Sequence, residues 1–312
     1  MTDHLYPTTA PNAVDIPIGR PGTLRVMLAV ALGATWPLMA TIFQLDRLQT
    51  FIGYSVAGSL VIALAHSSPT TRQRWTLWCG VVGIPVFAFL IDVAHQMIYR
   101  LTPTTIDVTL LKLDARIVGD FAFQLSRWLQ SHYIVCLIAN RCYLALGLVN
   151  SMVFALAYNH HERHARAVEM LALWGLAGAL GAVGYLLFPA IGPRWVLPTW
   201  PATPSLAEIA RATPWIGKPR NAMPSLHATW VMLTLYCARW LTWRAWICLL
   251  PWAALTLLMT LGGGEHYAID LLVAVPFSAA VIVTVHLAMG GLKRARAAVD
   301  CAVTETPPST AA

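Results

Sequence analysis

Two short runs decide how this chain folds: GKPRNAMPSLH at residues 217–227 and GGGEHYAID at residues 262–270. Each run places a histidine, His227 or His266, at the mouth of a long apolar segment. Ionisable groups are costly inside a bilayer and usually have a function where they occur. The two histidines, together with Asp270 and the basic residues of the first run, therefore predict a functional site at the ends of membrane helices.

The composition indicates a polytopic membrane protein. Of the 312 residues, 57% are hydrophobic and only 11% are charged, and the mean hydropathy is +0.61. Soluble domains carry about a quarter charged residues. The formal net charge is +7, but the basic residues lie at the ends of apolar segments, where the positive-inside rule accounts for them. This distribution argues against nucleic-acid binding.

The apolar runs predict an all-α fold, a membrane helical bundle of about eight transmembrane helices. Residues 1–23 are polar and rich in Pro and Thr, which predicts a disordered leader. Residues 24–290 are expected to form the membrane-embedded domain, with a motif core at about 185–275, and residues 291–312 a disordered cytoplasmic tail. The spans are expected at about 24–43, 50–66, 75–99, 132–158, 167–190, 223–240, 244–261 and 267–289.

The segment 104–130 differs from the spans. Apolar residues recur there at helical spacing, but charged residues interrupt them too often for a transmembrane helix. Two interpretations fit this pattern: an amphipathic helix lying in the outer membrane interface, or a soluble helix that caps the bundle.

The distribution of basic residues predicts the orientation. An eight-span path puts the Arg72, Arg163 and Arg239 loops and the Lys293 tail in the cytoplasm, with both termini. The Ala-, Leu- and Arg-rich composition suggests a bacterial inner membrane, so the opposite face would be periplasmic. The same path gathers six ionisable residues at that outer face: Arg194, Lys218, Arg220, His227, His266 and Asp270.

The residue types in this cluster point to phosphate chemistry. His266 and Asp270 are four residues apart, so on a helix they share a face, and the carboxylate can orient one imidazole nitrogen. The other nitrogen is then free to act as nucleophile or base. Ser225 follows Pro224 at the start of an apolar run, which is a good N-cap arrangement. Helix N-termini bind phosphate.

Three basic residues complete the predicted cradle. Arg194 and Arg220 suit bidentate contacts to phosphoryl oxygens, and Lys218 suits a point-charge contact. His227 is placed to protonate a leaving oxygen as a general acid. Each residue alone has an ordinary structural explanation, but their joint occurrence at one face favours a site. Because histidines and cations supply the nucleophile, acid and charge stabilisation, we expect no metal and no other cofactor.

These motifs resemble the type 2 phosphatidic acid phosphatase superfamily. The run PSLH at 224–227 is similar to its second signature, and His266 with Asp270 matches the H-x-x-x-D end of its third. Together with PAIGPR at 189–194, they look most like the branch that contains inositol phosphorylceramide synthases and related bacterial membrane proteins. The resemblance covers the motif core.

The resemblance implies a role for each matching residue. His266 would be the nucleophile that forms a phosphohistidine, Asp270 its orienting partner, and His227 the acid for the departing alcohol. Ser225 and Arg194 would bind phosphate.

Two cations of the family pattern are missing from this chain. Leu187 stands where the family's first signature has lysine, and Met259-Thr260 stand where the third commonly has Ser-Arg. Lys218 or Arg220 would substitute for them. These departures favour the transferase-like branch over the simple phosphatases.

The predicted function is therefore a metal-independent lipid phosphatase or phosphotransferase. It would cleave a phosphoester or diphosphate of a lipid in the bilayer at the non-cytoplasmic face. Transfer to water makes it a phosphatase, and transfer to a lipid or polyol hydroxyl makes it a phosphotransferase. The alternative from a different class is a non-catalytic protein that binds or transports anionic lipids with the same cradle.

Overall fold

A computed structural model describes residues 79–80, 83, 86, 90–91, 93–158, 164–214, 217–239, 241 and 243–304. The predicted leader and the first two predicted spans lie outside these residues, and the third is described only in part. Within the described residues all regular structure is helical, without strands. The all-α prediction is therefore confirmed for this part of the chain.

Residues 93–101 are helical, and the first helix with both ends described begins at Asp107. A short 3-10 turn spans Pro193–Trp195. The helices are α1 (Asp107–Ile117), α2 (Phe121–Ser131), α3 (Tyr133–Leu144), α4 (Leu146–Tyr158), α5 (His164–Leu187), α6 (Leu206–Ala210), α7 (Leu226–Ala238), α8 (Trp243–Gly262) and α9 (Ala268–Thr304).

Three described helices are long and apolar enough to cross a membrane: Ala165–Leu187 in α5, Trp243–Gly262, and Ala268–Leu292 in α9. The pair α3 and α4 adds a fourth if it counts as one span, although the two helices are bent by 55°. These helices coincide with four of the predicted spans. Three apolar helices of this kind fit a membrane protein.

Eight spans are not supported by the described residues. The predicted span at 223–240 is α7, which has 13 residues, or about 20 Å of helix, whereas a span needs about 20 residues. The helix starts late because Pro224 has no N–H and Ser225 caps the first turn, which fixes the start at Leu226.

The predicted amphipathic segment is two helices rather than one. Gly119 separates α1 from α2 with a φ of 62°, a conformation that glycine adopts without strain. Its N–H donates to the carbonyl of Asp114 (3.1 Å), as in a Schellman-type helix end. Ile117, Phe121 and Trp128 remain exposed along this segment, so the apolar face that the sequence predicts is present.

The helix α9 continues to Thr304, into the segment predicted as a disordered tail. Residues 291–304 contain many alanines, together with leucine, lysine and arginine, and these residues have high helix propensity. The propensity of the segment explains why the helix does not stop where the apolar run ends.

The chain divides into two compact units. Unit 1 includes residues 132–167 and 234–259, and within it Thr234 Oγ1 donates to Asn150 Oδ1 (2.5 Å) and Trp252 Nε1 to the Cys142 carbonyl (3.0 Å). Unit 2 includes residues 91–131, 168–233 and those from 260 onward. The prediction that residues 24–290 form a single catalytic domain stays a prediction.

The core of unit 2 forms around α1. Side chains from this helix pack with the loop after α5 and with the residues that precede α7 and α9. Three segments with predicted site residues are thus held against one helix. The buried members are Leu110, Leu111, Phe123, Ala190, Ile191, Val196, Leu197, Ile209, Ala222 and Tyr267.

Candidate functional site

All seven predicted site residues are described, and all lie in unit 2. They come from the loop after α5, from the loop before α7 and its first turn, and from the segment between α8 and α9 together with the first turn of α9. They are Arg194, Lys218, Arg220, Ser225, His227, His266 and Asp270.

The two histidines lie next to each other. Their ring centroids are 5.8 Å apart and the rings meet edge to face. His266 is buried, with 3% of its surface exposed, and His227 is half-buried. Two adjacent imidazoles can act on one bound group as nucleophile and acid, provided that each has a free nitrogen directed at that group.

A backbone carbonyl orients the His266 ring. His266 Nδ1 lies 2.9 Å from the carbonyl oxygen of Ala222. Because a carbonyl only accepts, Nδ1 carries a hydrogen and donates it, and in the neutral ring the lone pair then lies on Nε2. Ala222 is itself held, since its N–H donates to the carbonyl of Ala190 (2.9 Å). The sequence did not indicate this partner because any residue supplies a carbonyl.

The carboxylate of Asp270 lies beside His266 but bonds elsewhere. Asp270 Oδ2 is 3.6 Å from His266 Nδ1, beyond hydrogen-bond distance, and it accepts the N–H of Tyr267 (2.9 Å). Among the described residues the buried Oδ1 has no hydrogen-bond partner. Asp270 therefore supplies a nearby negative charge and also caps the first turn of α9, as the acidic residue of a capping box does.

Ser225 caps α7 as its position after Pro224 predicts. Its Oγ accepts the N–H of Ala228 (3.3 Å), and its carbonyl accepts both the N–H (3.0 Å) and the hydroxyl (2.9 Å) of Thr229. Ser225 is fully buried. A hydroxyl that accepts a capping bond keeps its own hydrogen to donate, so Ser225 can bind an anion and cap the helix at once.

Arg194 is tied to the segment that carries His266. Its N–H donates to the Gly264 carbonyl (3.1 Å), and its NH1 contacts the Gly263 carbonyl (3.5 Å) and Glu265 Oε1 (3.4 Å). Trp195 Nε1 donates to the other oxygen of Glu265 (3.0 Å). In the described part of the chain all of these guanidinium contacts use NH1, so its other N–H groups remain for an anionic ligand.

Two glycines allow these loops to approach. Gly192 has a φ of 92° and Gly264 a φ of 70°, both in the region that favours glycine. A Cβ on Gly192 would lie 2.3 Å from the Glu265 carbonyl oxygen, and one on Gly264 would lie 2.8 Å from the Arg194 Cβ. Close contact between the Arg194 and His266 loops therefore depends on both glycines.

The other two predicted cations have different surroundings. Lys218 Nζ lies 3.8 Å from the centroid of the Trp195 ring, which also faces Arg194 at 4.6 Å. Arg220 is buried, donates to the Thr102 carbonyl (3.3 Å) and faces Tyr99. Burial lowers the pKa of Arg220, and its NH1 has no hydrogen-bond partner among the described residues.

Sequence reasoning missed several groups around these residues: Ala222, Glu265, Tyr267, and Asp107 and Asp114 of α1. The aspartates stand seven residues apart, so they share one face of a helix. That spacing was the available signal, but the segment was predicted only as an amphipathic or capping helix, and neither aspartate was given a role. The structure buries both carboxylates, with 1% and 7% exposed.

A protein-family model described as the PAP2 superfamily matches residues 108–284. Searches of curated proteins and of solved structures returned no match. The matched region covers more than half of the chain and includes both histidines, Asp270 and the loops that carry Arg194 and Ser225. A match of this extent over the buried histidine site shows that the chain belongs to the PAP2 superfamily.

Proposed function

We propose that this protein is a membrane-embedded lipid phosphatase or phosphotransferase that works through a phosphohistidine on His266. Membership of the PAP2 superfamily supports a phosphatase-type lipid phosphoesterase, since members act on phosphorylated lipids. The observation that carries the proposed mechanism is the hydrogen bond from His266 Nδ1 to the Ala222 carbonyl. In the neutral imidazole this bond places the nucleophilic lone pair on Nε2, in the ring next to His227.

In the first step Nε2 of His266 forms a bond to phosphorus while the bond from phosphorus to the lipid oxygen breaks. His227 gives its proton to the departing oxygen, so the lipid leaves as an alcohol. The phosphorylated ring is an imidazolium, and the Ala222 carbonyl and the Asp270 carboxylate at 3.6 Å both stabilise its positive charge.

In the second step His227 takes a proton from water or from an acceptor hydroxyl. The oxygen of that acceptor forms the new bond to phosphorus as the bond to Nε2 breaks, and this returns both histidines to their starting states. Arg194, Ser225 and the N-terminus of α7 would bind the phosphoryl oxygens throughout. We propose that Lys218 or Arg220 substitutes for the cations missing from the family pattern.

The acceptor decides between the two reactions. The absence of the two family cations at Leu187 and at Met259-Thr260 favours the branch that resembles inositol phosphorylceramide synthases, so we propose transfer to a lipid or polyol hydroxyl as the finer assignment. The distribution of basic residues supports a site on the periplasmic face of a bacterial inner membrane, with both termini in the cytoplasm.

The test is phosphate release by the purified protein in detergent from phosphatidic acid, a prenyl diphosphate and a phosphoinositide. Each substrate is assayed with and without an added lipid or polyol acceptor, whose phosphorylated product is measured in parallel. We expect His266→Ala to lower turnover by at least about 1,000-fold. His286→Ala is the matched control, because His286 lies in α9 about 27 Å along the axis from the start of that helix and pairs with Glu169 (2.7 Å).

Full turnover in His266→Ala would refute the phosphohistidine mechanism. Lipid binding by the wild-type protein without release or transfer would favour the non-catalytic alternative, a protein that binds or transports anionic lipids. Phosphorylated acceptor in place of free phosphate would support the transferase assignment.

A further inference from the structure

The helix α1 presents two buried carboxylates to the segments that hold the predicted site. Asp107 and Asp114 are separated by about two helical turns and lie on one face. Buried carboxylates are costly unless they are paired or hydrogen-bonded. Their partners therefore show what these residues do.

Asp107 joins two loops of the site. Its Oδ1 accepts the N–H of Ile191 (3.0 Å), the N–H of Gly192 (3.2 Å) and the hydroxyl of Tyr267 (2.7 Å). The first two donors belong to the loop that carries Arg194, and the third belongs to the residue after His266. One carboxylate thus fixes the phosphate-binding loop relative to the proposed nucleophile.

The hydroxyl of Tyr267 is a fixed donor. The residue is 1% exposed, and burial, followed by the negative charge and hydrogen bond of Asp107, raises the pKa of Tyr267 well above its ordinary value. The hydroxyl therefore stays protonated, and the bond to Asp107 persists across the physiological pH range.

Asp114 holds the next residues along the chain. Its Oδ2 accepts the N–H of Ala268 (2.7 Å) and its Oδ1 the N–H of Ile269 (2.9 Å). These are first-turn donors of α9, which have no acceptor within their own helix. Asp270 also accepts the N–H of Tyr267. Carboxylates therefore accept hydrogen bonds from the N–H groups of three consecutive residues, 267–269, directly after His266.

We propose that Asp107 and Asp114 are positioning residues for phosphoryl transfer, which hold the His266 loop and the Arg194 loop in register from α1. Asp107 acts through the Tyr267 hydroxyl and the 191–192 backbone, and Asp114 acts through the first turn of α9. The inference rests on the proposed function, because it assigns these residues to the reaction of that site.

The test separates the two loops by kinetics. Tyr267→Phe removes only the link to the His266 loop, so kcat should fall about 10- to 100-fold, as expected for a misplaced nucleophile, with little change in KM. Asp107→Ala releases the Arg194 loop as well, so it should lower kcat and raise KM. The double variant should be no worse than Asp107→Ala, because the hydroxyl acts through that carboxylate.

Two further variants keep the test independent of folding. Asp107→Asn retains an acceptor oxygen and should restore most of the kcat that Asp107→Ala loses. Asp120→Asn, at an exposed position between α1 and α2, should behave as wild type. Where Asp107→Ala does not fold, Tyr267→Phe and Asp107→Asn decide the question.

An unchanged kcat in Tyr267→Phe, or multiplying effects in the double variant, would overturn the inference. A wild-type protein without phosphate release or transfer would instead refute the proposed function. The same variants would then be compared in orthovanadate binding: about tenfold weaker binding by Asp107→Ala would support the inference, whereas equal binding, or none by wild type, would overturn it.

Discussion

Removal of the Asp114 carboxylate is expected to destabilise the start of α9. Asp114→Ala leaves the N–H groups of Ala268 and Ile269 without the acceptors that lie at 2.7 and 2.9 Å. A buried donor that loses its acceptor costs about 1–3 kcal/mol, so the two donors together cost about 2–6 kcal/mol. Part of this cost is offset, because the variant no longer buries a carboxylate. We therefore expect a loss of about 2–4 kcal/mol in the free energy of unfolding.

Asp114→Asn separates the acceptor from the charge. The amide oxygen replaces one of the two carboxylate oxygens, so about one of the two bonds remains and the loss should be about half that of Asp114→Ala. Lys112→Ala is the matched control, because Lys112 lies in the same helix with an exposed side chain. It should change the free energy of unfolding by less than about 0.5 kcal/mol.

The assay is denaturant unfolding in detergent, combined with hydrogen exchange of the backbone amides at Ala268 and Ile269. Exchange at these two amides should accelerate in Asp114→Ala, while the amides of α7 keep their wild-type rates. Equal destabilisation by Asp114→Ala and Asp114→Asn would refute the hydrogen-bond argument. Unchanged exchange at both amides would do the same.

Four further outcomes are expected. Gly192→Ala should destabilise the protein by several kcal/mol, because its Cβ would lie 2.3 Å from the Glu265 carbonyl oxygen, whereas Gly217→Ala, with open space around it, should cost about 1 kcal/mol in unfolding experiments. Glu265→Gln should lower KM about two- to fivefold in steady-state assays, because it removes a partly exposed ion pair that competes for Arg194. Burial raises the pKa of Asp114 in the folded state above its ordinary value of 3.8, so the folded state binds this proton more tightly than the unfolded state does. The wild-type protein should therefore lose stability as pH rises above 3.8, whereas Asp114→Asn lacks this titration. Unfolding midpoints of the two proteins, measured at several pH values, would show this difference. Activity should survive a strong chelator, and its loss with recovery on adding a divalent metal would contradict the metal-independent mechanism.

The sequence predicted those parts of the site that depend on local spacing. His266 and Asp270 come together because they are four residues apart at the start of a helix, and Ser225 caps α7 because it follows Pro224. The apolar runs predicted α5 and α8 at nearly their full extent and the start of α9, although α9 continues past the predicted span to Thr304. In each case the deciding interaction lies within a few residues along the chain.

The remaining features depend on contacts that are distant in sequence. The His266 ring bonds a carbonyl 44 residues away, and Asp107 meets the Tyr267 hydroxyl across 160 residues. Hydrophobic periodicity reports which residues are buried but not which buried polar groups face each other. For the same reason the sequence does not show that Asp107 and Asp114 are buried and hydrogen-bonded to residues far along the chain.

The carboxylates on the first turn of α9 give the site an electrical asymmetry. A helix N-terminus normally attracts anions. The helix α7 begins with the neutral cap Ser225 and keeps this attraction. At the start of α9, by contrast, the backbone N–H groups already donate to the carboxylates of Asp114 and Asp270. A bound phosphoryl group would thus be attracted by the N-terminus of α7, whereas the carboxylates at the N-terminus of α9 would screen the positive end of that helix. We expect this polarity to draw the incoming phosphoryl group toward the start of α7 and so to orient it before bond formation.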